Sequence, residues 1–154
     1  MNITHAISEE VQGESLSAIF SRQKELMDKY HDIELRSGLL QTEDCPVNLD
    51  DKRGQARIKD FSWRITEEIG EALDALNNEG GESGLLHFHE ELIDGLHFLT
   101  EMTILSGIDT QNWTLDNFSL SVKEPLNDLI SAFIQTLGMM CNCLKNKPWK
   151  QTMM

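Results

Sequence analysis

The sequence is poor in cysteine, in basic side chains and in long apolar runs. Its three cysteines, Cys45, Cys141 and Cys143, are an odd number without the Cys-x-x-Cys spacing of a zinc site, which favours reduced thiols. No apolar run approaches the ~20 residues that a membrane span needs. Residues 1–15 lack the basic start and apolar stretch of a signal peptide. We therefore expect a cytoplasmic protein without a membrane partner.

Positive charge is scarce throughout the chain. Thirteen Lys and Arg residues face 26 Asp and Glu residues, which gives a net charge of -13. Such a chain repels nucleic acid unless it carries a local basic patch, and no such patch is present. We therefore expect no nucleic-acid partner. An anionic ligand would bind only where the local charge of the protein is positive. A bound divalent cation is the obvious source of that positive charge.

Proline is also scarce, and no segment alternates apolar and polar residues at period two. Only three prolines occur, and glycines cluster between segments whose apolar residues recur every three or four positions. This pattern predicts an all-α fold, a four-helix bundle-like single domain over residues 1–154. The expected helices are 14–31, 55–77, 85–106 and a fourth that starts at Pro125 and ends before Pro148.

The segments between the expected helices are read as loops. A polar connector is predicted from about Arg36 to Gly54, and a loop that carries Trp113 over residues 109–117. On the third helix, the predicted core stripe is Phe88, Leu92, Leu96, Leu99, Met102 and Thr103.

The second and fourth helices share a faint pattern. Residues 66–71 align with 134–139, so that Ile65 meets Phe133 and Leu76 meets Leu144, but the later copy has no carboxylates. Residues 120–154 would then be a degenerate second half. Chance similarity between two amphipathic helices explains the pattern equally well.

The chemistry-bearing pattern is a pair of carboxylates on each of two neighbouring helices. Residues three apart on a helix project from nearly the same face, so Glu68 pairs with Glu71, and Glu91 pairs with Asp94. All four lie beside apolar stripes, where an unpaired ionised carboxylate costs several kcal/mol. A compensating cation would remove that cost, and all-oxygen ligation favours Mg²⁺ or Mn²⁺. The alternative is a solvated acidic face.

Two further motifs, a glycine-rich phosphate-binding loop and a zinc-protease motif, are absent from the sequence. Neither a phosphate-binding Gly-x-x-x-x-Gly-Lys-Ser/Thr loop nor a strand-led Gly-x-Gly-x-x-Gly occurs, so a triphosphate would be held through metal. His89-Glu90 begins a zinc-protease motif, but Ile93 stands where the second histidine is required.

Several motifs resemble the all-α nucleoside triphosphate pyrophosphatases, which include dimeric dUTPases, phage-type dCTPase/dUTPases and MazG-like enzymes. The resemblance covers residues 21–108 and looks closest to the dimeric dUTPases. It rests on Phe-Ser-Trp-Arg at 61–64, Glu67-Glu68-x-x-Glu71, and Glu-Leu-Ile-Asp-Gly-Leu-His-Phe at 91–98.

That resemblance implies a function and a set of site residues. The expected reaction is the Mg²⁺-dependent hydrolysis of dUTP or dCTP to a monophosphate and pyrophosphate, which would sanitise the nucleotide pool. The implied metal ligands are Glu68, Glu71, Glu91 and Asp94, with Glu67 as an accessory carboxylate. The implied substrate-binding residues are Gln23, Trp63, His97, Lys59 and Arg64.

Four of the five implied substrate-binding residues also have a simpler interpretation. Trp63 and His97 suit structural positions, and Lys59 and Arg64 suit surface charges. The family's later Asn-x-x-Arg-Gln-like segment, which contacts substrate, has no counterpart here. A Pro-Trp-Lys follows the fourth helix, at 148–150, rather than the first acidic motif.

Two other classes of function compete with the enzyme hypothesis. A nucleotide-binding or regulatory protein would keep the acidic motif without turnover, and a plain dimerisation module would not need it. The extent of apolar stripe predicts a homodimer or a higher homo-oligomer in the catalytic and non-catalytic cases alike.

Overall fold

A computed structural model describes residues 15–37, 45–110 and 125–146. In this part of the chain four helices form and no strand does: α1 (Ser15–Ser37), α2 (Lys52–Asp74), α3 (Gly81–Leu105) and α4 (Leu126–Asn146). The all-α prediction is confirmed for these residues. The predicted Trp113 loop beyond residue 110, the Pro-Trp-Lys at 148–150 and the amino-terminal residues 1–14 lie outside the described residues.

Three of the four helices begin earlier or end later than their periodic patterns predicted, whereas α4 lies within its predicted bounds. Helix α1 continues to Ser37 rather than ending near His31, and α2 begins at Lys52 rather than Gln55. Helix α2 then passes into one π-helical turn, Ala75–Glu79, and α3 starts at Gly81. The pattern missed the starts of α2 and α3 because their first turns are polar or contain glycine and carry no apolar periodicity.

Helices α2 and α3 form an antiparallel hairpin that organises the molecule. Near one end Glu79 contacts His87 across the turn, and farther along Phe61 lies 6.1 Å from Phe98, ring centre to ring centre. Helix α1 packs against α3, and α4 packs against α2. The core they enclose consists of Val47, Leu49, Ile58, Phe61, Ile65, Met102, Leu105, Leu137 and Leu144.

Part of the predicted polar connector belongs to this core. Val47 and Leu49 are buried, and the Val47 amide donates a hydrogen bond of 2.8 Å to the Leu105 carbonyl. Two apolar residues are too few to show a period, so only the tertiary contact reveals them.

The predicted stripe of α3 is partly wrong. Phe88, Met102 and Thr103 are buried, but Leu92 and Leu96 are each 42% exposed. The buried face instead includes Glu91 and Gly95. Helix α3 has apolar side chains on more than one face, so periodicity alone does not determine which of them packs against α2.

Among the described helices, none combines the length and apolar character that crossing a membrane requires.

Candidate metal centre

Three of the four predicted metal ligands meet between α2 and α3. One carboxylate oxygen from each of Glu68, Glu91 and Asp94 lies within 4.8 Å of the other two. The antiparallel hairpin causes this meeting, because it sets the second half of α2 against the middle of α3. Gly95 helps: a Cβ atom built there would lie 3.5 Å from Cβ of Glu68, so the two helices pass closely at this level.

The three carboxylates differ in burial. Glu91 is 9% exposed, Glu68 is half-buried and Asp94 is exposed. The pKa of Glu68 is raised to about 7, chiefly by burial and further by the hydrogen bond and negative charge of Glu91 and by the charges of Glu71 and Asp94. Without a cation, therefore, the cluster holds a proton near neutral pH.

Glu71 and Glu67 are placed differently from these three. The exposed Glu71 is near enough to raise the pKa of Glu68, but it contributes no oxygen to the 4.8 Å cluster. The exposed Glu67 accepts a 2.9 Å hydrogen bond from the indole nitrogen of Trp63. The roles of Glu71 as a metal ligand and of Glu67 as an accessory carboxylate remain hypotheses. Glu71 is better placed than Glu67 to reach an ion in the cluster.

The donor set fits a hard divalent cation. Two oxygens that bind one Mg²⁺ at ~2.1 Å are at most ~4.2 Å apart. Side-chain rotations that move the carboxylate oxygens by a few tenths of an ångström would therefore bring them within binding distance of one ion. Carboxylate oxygen is also the ligand type that Mg²⁺ and Mn²⁺ prefer. Glu68, Glu91 and Asp94 would supply three ligands and leave other positions for water or phosphate oxygens.

An open apolar groove adjoins the cluster. Its volume is about 410 Å³, and Glu91 and Gly95 form the edge nearest the carboxylates. The exposed Leu92 and Leu96 belong to its wall, which explains why they leave the core. The remaining lining comes from Ile65, Ile69 and Leu99 of the hairpin and from Leu126, Leu129, Ile130 and Phe133 of α4. A metal-bound anion with an apolar or aromatic portion would fit this arrangement.

His87 also touches the cluster. Its Nε2 lies 2.9 Å from Oε1 of Glu91, and its Nδ1 lies 2.6 Å from Oε1 of Glu79. The hydrogen bond to Glu79 is the main reason why the pKa of His87 is raised. His87 belongs to none of the sequence motifs that predicted the site, although its position four residues before Glu91 is a recognisable same-face spacing.

Gln23 and His97 meet, as the resemblance implied, but their polar atoms face one another. Gln23 is 4% exposed; its Oε1 accepts a 2.9 Å hydrogen bond from Nδ1 of His97, and its Nε2 donates a 3.1 Å bond to Glu101. Arg57 lies 3.9 Å from the same carboxylate of Glu101. Both ends of the Gln23 amide are therefore already bonded within the protein.

The other predicted substrate residues, Lys59, Trp63 and Arg64, belong to α2. Trp63 is 64% exposed, and with Lys59 it lines a separate cavity of about 190 Å³ against α4. No clustered carboxylate lines that cavity. Arg64 bonds to Asp60 at 3.1 Å, and its guanidinium lies over the Phe61 and Phe98 rings. Arg64 is four residues before Glu68, so it shares the helix face that leads to the cluster.

No protein-family profile, curated protein or solved structure matches this chain.

Proposed function

We propose that this protein is a Mg²⁺-dependent nucleoside triphosphate pyrophosphohydrolase of the all-α type, acting on dUTP or dCTP in nucleotide-pool sanitation in the cytoplasm. The observation that carries the proposal is the meeting of Glu68, Glu91 and Asp94 within 4.8 Å beside an apolar groove. Mn²⁺ is the natural substitute for Mg²⁺ at such a site.

The chemistry follows from the donor set. When bound, the cation would neutralise phosphate charge and activate a water for attack at the α-phosphorus, which yields a nucleoside monophosphate and pyrophosphate. Glu68, Glu91 and Asp94 hold the ion, and Glu71 is close enough to join them. The groove receives the apolar face of the base and sugar, and Arg64 is the described cation best placed to approach phosphate.

A homodimer is part of this proposal. Leu92, Leu96, Leu126 and Leu129 are large apolar side chains that are 41% to 48% exposed around one open groove. A second copy covering part of this surface would reduce its contact with water and close the site around substrate.

The decisive experiment is incubation with Mg²⁺ and a panel of canonical and modified nucleoside triphosphates, followed by chromatographic separation of products. We expect monophosphate plus pyrophosphate from one or two substrates, and none of either when EDTA is present. The same assay with ribonucleotides defines the sugar preference. An absence of product with every nucleotide tested would refute the proposed enzyme activity.

A non-catalytic nucleotide-binding protein is the second candidate, and one observation favours it. Gln23, the residue expected to read the base, is buried with both amide atoms bonded to His97 and Glu101. Tight nucleotide binding in the presence of Mg²⁺ without product formation would select this candidate over the enzyme.

A further inference from the structure

A chain of contacts joins the π-helical turn to the most buried of the clustered carboxylates. Glu79 contacts Nδ1 of His87 at 2.6 Å, and Nε2 of the same ring contacts Oε1 of Glu91 at 2.9 Å. The imidazole thus lies between two carboxylates, of which only Glu91 belongs to the cluster.

The backbone of the turn brings Glu79 to His87. Gly80 and Gly81 have positive φ angles of 66° and 63°, a conformation that side-chain-bearing residues rarely adopt. Gly84 then passes so close to the π-helical turn that a Cβ built on it would lie 2.7 Å from the Ala75 carbonyl oxygen. These glycines let the start of α3 fold tightly against the end of the preceding helix, where Glu79 meets the ring.

The contact to Glu91 constrains a carboxylate that has little freedom already. Glu91 is 9% exposed and shares a hydrogen bond with Glu68, so His87, as a second partner on Oε1, fixes the plane of its carboxylate. Hydrogen bonds of this kind orient metal-binding carboxylates in other proteins, and their loss typically costs 10- to 100-fold in metal affinity. Asp94 is exposed and has no comparable constraint in the described structure.

We propose that His87 is a positioning residue that orients the Glu91 carboxylate for the divalent cation. This inference rests on the metal site of the proposed function. It assigns no contact with substrate to His87. The competing role is a structural tie in which the bond to Glu79 matters and the bond to Glu91 does not.

Two isosteric substitutions separate the two roles. The amide nitrogen of Gln falls near the position of Nε2, so His87→Gln retains a donor toward Glu91 and loses the one toward Glu79. The amide nitrogen of Asn falls near Nδ1, so His87→Asn does the opposite. Orientation of Glu91 predicts that Gln substitutes for the histidine and Asn does not, whereas a structural tie predicts the reverse.

The test is Mn²⁺ binding to the full chain without nucleotide, followed by electron paramagnetic resonance, for wild type and for His87→Gln, His87→Asn and His87→Ala. We expect His87→Gln to bind nearly as well as wild type, and His87→Asn and His87→Ala to bind about 10- to 100-fold more weakly. His89→Asn, an exposed histidine two residues along α3, is the matched control and should bind normally. Wild-type affinity in His87→Asn, or equal losses in His87→Gln and His87→Ala, would overturn the inference alone. Failure of the wild type to bind Mn²⁺ or Mg²⁺ would overturn the proposed function and the inference together.

Discussion

Two groups of polar side chains lie along the α2–α3 hairpin, and they differ in charge balance. Near the glycine turn, Glu68, Glu91 and Asp94 crowd together, and the pKa of Glu68 rises to about 7. Farther along, Glu101 is matched by the Arg57 guanidinium at 3.9 Å and by the amide of Gln23.

The comparison shows that a carboxylate beside an apolar core does not by itself indicate a metal site. Glu101 accepts a hydrogen bond from Gln23 of α1 and forms an ion pair with Arg57 of α2. Its negative charge is therefore already offset without a metal ion. The cluster near the turn has more negative charge than its neighbours offset, and His87 contacts it at its edge. An excess of closely spaced, uncompensated carboxylates is the feature that favours a bound cation.

The largest expected effect comes from removing one charge inside the cluster. We expect Asp94→Asn to lower Mg²⁺ affinity and turnover by more than about 100-fold, because a ligand is lost rather than merely misoriented. The Glu90→Gln variant removes the same charge from an exposed neighbouring position on α3 and should remain close to wild type. Calorimetric Mg²⁺ titration and the product assay measure both. Equal effects of the two substitutions would show that net charge, rather than the cluster, is responsible.

A smaller effect is expected from the second group, and on a different quantity. Glu101→Gln removes the charge that faces Arg57, so the free energy of unfolding should fall by about 1–3 kcal/mol, the usual cost of disrupting a partly buried polar group. Mg²⁺ affinity should not change. Urea denaturation monitored by circular dichroism gives the first quantity, and calorimetry gives the second. If Glu101→Gln lost as much Mg²⁺ affinity as Asp94→Asn, the claim that only the first group binds the metal would be wrong.

The smallest expected effect is on the pH dependence of the free energy of unfolding. The pKa of Glu68 is 4.5 as a model value and about 7 in the folded protein, so between these values the native state binds more protons than the unfolded state. The resulting stabilisation is fully present below pH 4.5 and is lost as the pH rises through about 7.

Comparison with Glu68→Gln isolates this contribution. The raised pKa of His87 gives a pH dependence of the same sign, and that part should persist in the variant. We therefore expect metal-free wild type to lose more stability than Glu68→Gln between pH 5 and 8 in urea denaturation. Saturating Mg²⁺ should reduce the difference, because metal binding displaces the proton. Identical pH profiles for the two proteins would contradict the raised pKa.

Local patterns predicted much of the fold and the pairing within each helix. The apolar period of 3.6 residues located four helices, and Ile58, Phe61 and Ile65 of α2 are buried as their spacing requires. The spacing of Glu91 and Asp94 placed both carboxylates on one face of α3. Periodicity was a weaker guide on α3, where Leu92 and Leu96 line a groove and Glu91 takes a buried position.

The sequence alone therefore determined the helical class, the approximate helices and the candidate ligands, because helical periodicity and same-face spacing are properties of adjacent turns. Only the tertiary structure decided which carboxylates meet, since that depends on the alignment of two helices across a turn built on Gly80, Gly81 and Gly84. It also placed His87 between Glu79 and Glu91 and enclosed Gln23 among α3 side chains. The contact of His87 with Glu91 follows from their same-face spacing on α3. The contacts of Glu79 with His87 and of Gln23 with His97 and Glu101 join separate helical segments, and no local period along the chain encodes them.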